Sequence, residues 1–429
     1  MSRFLDHWKL TDEVASLLPA RTAPEVSTDT QPVQESYRGA TVWIHPQSGV
    51  DEFFVTDDHG TRFDVDNALD NVLLERYVPP PVASAKQAIL KNAYYLLKPL
   101  MPRSLQLRAQ RVNARAQLRK IAYPGWPHDD TLLRFLGSAL GRLMESAGVD
   151  ETPFIGYWPR GHLWAACFTH DVETVDGLSA MGKMAGIEEA HDIRSTWFVV
   201  PERYPVSVSS FETHVENGHE IGIHGLNHDG KLFSSRSEFE RRAARINRYI
   251  EEWQVVGFRS PALYRHPEWI PELDIRYDSS YMDTAVMEPQ PGGVSTVLPF
   301  HLDDRVVELP ITMPMDHHLI NILQMDAVEP MLSKFRWVVE RHGLANFLYH
   351  PDYNLDRDSL ASYREVVASV VGTTGGWVAT AAQIADWWDR RRRSTLVTGD
   401  NGIRIEGPAA EDGAVWYAKR DGGFRIEPL

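Results

Sequence analysis

The chain carries a single cysteine, Cys167, among its 429 residues, so no disulfide can close within it. Cys167 lies in the apolar stretch 163–168 and reads as a small buried hydrophobe, and nothing in the cysteine usage demands an oxidising compartment. Long hydrophobic runs are lacking too. No uninterrupted apolar stretch nears the ~18 residues of a membrane span, and no basic start leads into an apolar leader segment. The expectation from these absences is a cytoplasmic protein. Basic residues are in deficit, 44 against 59 acidic ones for a net charge of −15, which repels nucleic acid. No fixed-period repeat or low-complexity tract is visible, which excludes a solenoid.

Acid is missing in one place. Between Tyr77 and His128 there is none, while Lys86, Lys91, Lys98, Arg103, Arg108, Arg111, Arg115, Arg119 and Lys120 give nine cations. Apolar residues such as Ile89, Leu90, Tyr94, Leu96 and Leu97 interleave with them. Residues 86–120 thus suit a basic amphipathic segment making peripheral contact with an anionic membrane or a lipid-linked substrate. The plainer reading is a helix packed on the acidic remainder, and Pro99 and Pro102, which interrupt any long helix, favour it.

With 43% apolar residues the chain can bury a large core, and its length suits two or three domains. Residues 1–150 read as an N-terminal α+β region. It has a short helix around 7–18, a Pro, Ser and Thr-rich linker over 21–36, a small sheet (41–44, 53–56 and 61–65) and helical patterns over 83–148. From Trp158 short apolar strands (163–169, 195–200, 220–223, 345–349) alternate with polar helices. That alternation predicts an α/β domain over 151–393. The clearest helix is 237–253, capped by Ser235, with further helices at 329–341 and 360–371. Beyond residue 393, turn signals flank 403–406 and 415–419, a small β appendage over 394–429.

Four segments carry chemistry. Phe168-Thr169-His170-Asp171-Val172-Glu173 ends an apolar strand, where alternate residues share a face, so Asp171 and Glu173 point together. Paired carboxylates there suit metal ligation or proton transfer, although acids often merely end strands. His224 and His228, in His224-Gly225-Leu226-Asn227-His228, are four apart, which on one turn brings both imidazoles to one cation; two surface histidines in a polar loop are the bland alternative. Arg259, in Arg259-Ser260-Pro261, sits beside a proline-fixed turn and can hold a carboxylate, or act only as a structural ion-pair partner. His350, in Leu348-Tyr349-His350-Pro351-Asp352, ends another apolar strand. An imidazole of ordinary pKa ~6.5 there can deliver a proton to a leaving amine, unless it is a buried histidine bonded to backbone.

This ordered set resembles the polysaccharide deacetylase superfamily (NodB-like, carbohydrate esterase family 4), over about residues 158–390. The family pattern is a carboxylate pair, an H-x-x-x-H, an R-x-P and a late L-x-H, all present here in order. Residues 194–200 also look like its second core strand. Many members carry adjacent aspartates, whereas Val172 separates Asp171 from Glu173, as in a D-x-D/E subset acting on peptidoglycan sugars or small cyclic amides. The resemblance implies a distorted (β/α) barrel of about seven strands. It further implies Asp171 as base, Arg259 orienting it, His350 as acid, and Glu173, His224 and His228 as ligands. The reverse roles of Asp171 and Glu173, or Asp171 as ligand with Glu173 uninvolved, stay open. The implied cofactor is one divalent ion, zinc first, with cobalt, nickel, manganese or iron as alternatives. The implied reaction is removal of the acetyl group from an amino sugar, with the N–H of Ala262 near the oxyanion. A cytoplasmic setting would make that sugar nucleotide- or lipid-linked.

Other readings are a hydrolase of non-sugar amides or cyclic imides, and a barrel that only binds carbohydrate. Asp278 and Asp316 are further candidate partners for His350 or the substrate. Trp197, Tyr264, Trp269 and Tyr281 are candidates for stacking on sugar rings, or for the core. His219-Glu220-x-x-x-His224 is one residue too long for a zincin motif, and Gly177-Leu178-Ser179-Ala180-Met181 lacks the second glycine of a serine-hydrolase elbow.

Overall fold

A computed structural model describes residues 3–10, 31–37, 40–44, 53–57, 60–62, 65–78, 103–118, 124–352, 355–400 and 402–426. The N-terminal region contains a four-stranded antiparallel sheet, β1 (Gln31–Tyr37), β2 (Ala40–Ile44), β3 (Phe53–Asp57) and β4 (Gly60–Arg62). β1 falls in the stretch read as linker. Pro32 and the Ser and Thr around it hide the strand, yet an edge strand tolerates a proline, and register irregularities at Pro32 and Gln34 accommodate it. Of the expected helix at 7–18, the described part is Arg3–Trp8, and the rest lies outside the described residues. Residues 79–102 and 119–123 also lie outside them, and most of the acid-free segment with them. Its described part is the helix Arg103–Leu118, where Arg111 Nε donates to the carbonyl of Asn321 at 3.0 Å. No helix among the described residues is long and apolar enough to cross a membrane.

The centre is one curled sheet. Its strands are β6 (Trp164–Val172), β7 (Thr196–Val199), β8 (Glu220–His224), β9 (Gly257–Arg259), β10 (Tyr277–Asp278), β11 (Phe300–His301), β12 (Val307–Glu308), β13 (Leu344–Tyr349) and β14 (Gly376–Val378). They run in the order β11-β12-β10-β9-β8-β7-β6-β13, and β14 also pairs with β6. All pairings are parallel except that of β11 with β12. Strands covered on both faces must be apolar throughout, and every residue of β6 and β13 is buried. Phe168 stacks on Phe347 across that pair at 4.7 Å between ring centres. Each such buried aromatic contributes roughly 1.5–3 kcal/mol.

Helices close the outside. Arg236–Trp253 begins where Ser235 accepts a hydrogen bond from the Glu238 N–H, and it buries Phe239, Ala243, Ile246, Ile250 and Trp253 on one face. Val328–Val339 and Arg357–Val371 follow the same apolar spacing. The C-terminal strands are tied into the body. β15 (Thr395–Gly399) and β16 (Gly402–Glu406) form a hairpin, while β17 (Val415–Lys419) pairs with β18 (Phe424–Ile426) and with β5 (Glu151–Ile155). Trp416 on β17 is fully buried against Phe154 and Tyr157.

Candidate active site at the carboxyl ends of the strands

A parallel sheet aims the ends of its strands, and the loops after them, at one face. Asp171 is the penultimate residue of β6 and Glu173 follows the strand; His224 ends β8, Arg259 ends β9, and His350 follows β13. His224 and Arg259 are register partners, as are Tyr349 and His170, so these positions lie level with one another. His228 is reached through the loop 225–228. Gly225 there has φ of +60°, and a Cβ on it would lie 2.5 Å from Pro261 Cδ, so only glycine lets the histidine loop pass the Arg-Ser-Pro turn.

Glu173, His224 and His228 each offer a ligand atom within 4.8 Å of the others. His224 Nδ1 lies 3.1 Å from the carbonyl oxygen of Arg259; a carbonyl only accepts, so Nδ1 carries the proton and Nε2 the lone pair. The Nε2 atoms of His224 and His228 are buried without a hydrogen-bond partner. Carboxylate oxygens lie nearby, Asp171 Oδ2 at 3.5 Å from the first and Glu173 Oε1 at 3.1 Å from the second, but not in hydrogen-bonding geometry. Burial, against the pull of Asp171, pushes His224 down to about 4, so its imidazole is neutral at ordinary pH. Burial also works to raise Glu173, but its neighbours His228, His350 and His224 outweigh it and hold the carboxyl well below its usual range. Two imidazole lone pairs and an ionised carboxylate, converging with unmet bonding capacity, fit a divalent cation of the zinc type.

Around this cluster the other groups are fixed from behind. Arg259, fully buried, donates from Nη1 to Asp171 Oδ1 at 3.0 Å and to Thr169 Oγ1 at 2.9 Å. Its Nε and Nη2 go to the carbonyl and hydroxyl oxygens of Ser279, both at 2.8 Å, and Asn346 Nδ2 donates to the same hydroxyl at 3.1 Å. The guanidinium lies over the Phe198 ring, 4.3 Å from its centre. Asp316 holds His350 twice. Its Oδ1 lies 2.7 Å from Nδ1 and its Oδ2 accepts from the backbone N–H at 3.0 Å, leaving Nε2 4.0 Å from Glu173 Oε1. Burial alone would lower His350, but Asp316, with Glu173 and Asp171, pushes it up to about 10.

Asp352, which no motif spacing assigns to the site, supports it from behind. Its Oδ2 accepts from the Glu173 N–H at 3.0 Å and its Oδ1 from Thr174 Oγ1 at 2.6 Å, which fixes the loop that presents Glu173. Its place two residues after His350 was the one available signal.

Three earlier candidates sit elsewhere. Asp278 does not reach His350: it is fully buried, accepts from Ser280 Oγ at 2.6 Å, and faces Glu308 across the sheet. Burial pushes Asp278 up to about 6 and Glu308 well above its usual range. Trp197 and Tyr281 are core residues without exposed surface, which removes them as sugar platforms. Trp269 stacks on His266 at 4.0 Å, and Tyr264 lines a narrow cleft with His228, Ser260 and Pro261. Another cleft, lined by Arg3, Leu69, His301 and Arg391, contains none of the site residues.

Residues 178–278 match the family model for polysaccharide deacetylase, a span that includes His224, His228 and Arg259. No curated protein matches the chain. Among solved structures, a polysaccharide deacetylase candidate from Mycobacterium smegmatis is 21% identical, with 54% of this chain and 92% of that one covered at a TM-score of 0.44. The Puue allantoinase is 15% identical over 54% and 92%, with a TM-score of 0.42. Peptidoglycan deacetylase PdaC from Bacillus subtilis is 13% identical over 52% and 90%, with a TM-score of 0.34. Likenesses of this size say nothing about substrate. The motif order and the match over residues 178–278 make this part of the chain similar to the polysaccharide deacetylase family.

Proposed function

We propose that the chain hydrolyses the amide of an N-acetylated amino sugar, releasing acetate and the free amine. The observation that carries this reading is the pair of buried, unpartnered Nε2 atoms of His224 and His228 converging on Glu173 beside the Asp316–His350 pair. Glu173, His224 and His228 would hold one divalent ion, zinc by the donor chemistry. Bound there, the ion supplies activation of a water and polarisation of the acetyl carbonyl.

The remaining work falls to the protein. Asp171, aimed by Arg259, removes the proton from the attacking water. His350 gives its Nε2 proton to the departing nitrogen, and Asp316 keeps that imidazole charged until it does. General acids and bases of this kind typically contribute ~10² to 10⁴ in rate. The turn Pro261–Leu263 offers the Ala262 N–H to the developing oxyanion; Ala262 there adopts φ of +54°.

The runner-up is ring-opening of a cyclic amide or imide by the same groups. Acetate release from N-acetylglucosamine derivatives, measured alongside hydrolysis of small cyclic imides, separates the two. Turnover of the imides with no acetate release from any acetamido sugar would overturn the proposed substrate class.

A further inference from the structure

One buried carboxylate of the N-terminal region is held by the loops that follow β9 and β10. Glu75 follows the helix Val65–Leu73 at φ of +50° and is almost fully buried. It meets Arg265 fork to fork, with Oε2 to Nε and Oε1 to Nη2 both at 2.5 Å. Oε1 also accepts from the Gly293 N–H at 2.6 Å, and nearby Tyr77 Oη donates to the Gly293 carbonyl at 2.7 Å. A Cβ on Gly292 would lie 2.5 Å from Glu75 Oε1, so this loop is glycine where the carboxylate enters.

Arg265 passes the anchor on. Its Nη1 donates to the Leu263 carbonyl at 2.9 Å and to the Gln290 carbonyl at 3.2 Å. Leu263 and Ala262 both sit in the left-handed region, at φ of +50° and +54°, which is unfavourable for side chains with a Cβ. Something outside the turn must hold two such residues in succession. Within the turn the Leu263 N–H donates to the Ser260 carbonyl at 3.0 Å and the Tyr264 N–H to the Pro261 carbonyl, the second long at 3.4 Å.

We propose that Glu75 and Arg265 are positioning residues: through them the N-terminal region clamps the Pro261–Leu263 turn so that the Ala262 N–H faces the reacting carbonyl. This rests on the function proposed above. The N-terminal region is then a working part of the site, which cannot be removed without loss of turnover, although Glu75 itself pairs with Arg265 and with none of Glu173, His224 and His228.

The test uses the full chain and two readouts, backbone hydrogen exchange and steady-state kinetics on an N-acetylated amino sugar. In Glu75→Gln, exchange at residues 261–265 rises about tenfold or more while β6 and β13 stay protected. kcat falls about ten- to hundredfold with KM changed less than about twofold, since the lost interaction is one made in the transition state. If Glu75→Gln fails to fold, Glu75→Gln with Arg265→Met, which removes both buried charges, gives the same two readings. Unchanged exchange over 261–265 in a folded variant overturns the proposal, and so does exchange rising evenly through the whole barrel. Local loosening in a chain whose wild type releases no acetate would instead overturn the proposed function and, with it, the catalytic purpose of the clamp.

Discussion

Replacing Asp316 with asparagine keeps the shape around His350 and removes one charge. In the wild type the His350 imidazolium is favoured despite complete burial, because Asp316 Oδ1 lies 2.7 Å from Nδ1. The rise from 6.5 to about 10 corresponds to roughly 5 kcal/mol of preference for the protonated form, shared among Asp316, Glu173 and Asp171. Asp316 is the largest favourable contributor, so its neutralisation leaves burial to push the group back down. The alkaline limb of the kcat/KM profile, carried by the acid His350, therefore moves down by about two units or more in Asp316→Asn. With the limb moved to about 8, loss of the protonated acid alone costs the variant roughly twofold in kcat/KM near pH ~8, about 50-fold near pH ~10 and little near pH ~6. The stability linkage has the same sign. A raised folded-state pKa contributes stability fully present below 6.5 and lost as pH rises towards about 10, and the variant should lose that alkaline slope. An unmoved alkaline limb in a folded variant that still hydrolyses substrate would refute the assignment of His350 as the acid.

Two further outcomes follow from the packing. Gly225→Ala puts a methyl 2.5 Å from Pro261 Cδ at φ of +60°, so thermal unfolding should show a loss of roughly 2–4 kcal/mol together with weaker metal binding; an unchanged melting temperature would count against the close approach. His301 is buried and pushed down to about 3, first by burial and then by Arg392 and Arg3. Its contribution to stability is complete above 6.5 and is lost as pH falls towards about 3, at up to roughly 1.4 kcal/mol per pH unit. His301→Gln should flatten that acid limb in denaturant titrations, and an unaltered slope would show that other groups set it.

The sequence made the barrel legible because parallel strands buried on both faces, such as β6 and β13, must be nearly continuous apolar runs. It also exposed the strand-end residues, since their spacing is local: His224 and His228 are four apart, and Asp171 and Glu173 are two apart. Ser235 marked the start of its helix by the same local logic. What stayed hidden depends on distant partners. β1 lay under a proline that only an edge position tolerates. The burial of Asp278 against Glu308 and the Asp316–His350 bond are products of strand order, which no single motif encodes. Glu75 reaches Arg265 across 190 positions of chain, and no spacing rule points to it.

The central claim is that Glu173, His224 and His228 form one metal site on which hydrolysis depends. It is tested most directly by elemental analysis of the purified full chain and of His224→Ala, paired with acetate release from an N-acetylated amino sugar after chelation and after metal is restored. The account predicts about one divalent ion per wild-type chain, a large loss of bound metal and of turnover in His224→Ala, and recovery of the chelated wild type alone. Wild-type turnover by a chain stripped of metal, or a His224→Ala variant retaining both ion and activity, would contradict it.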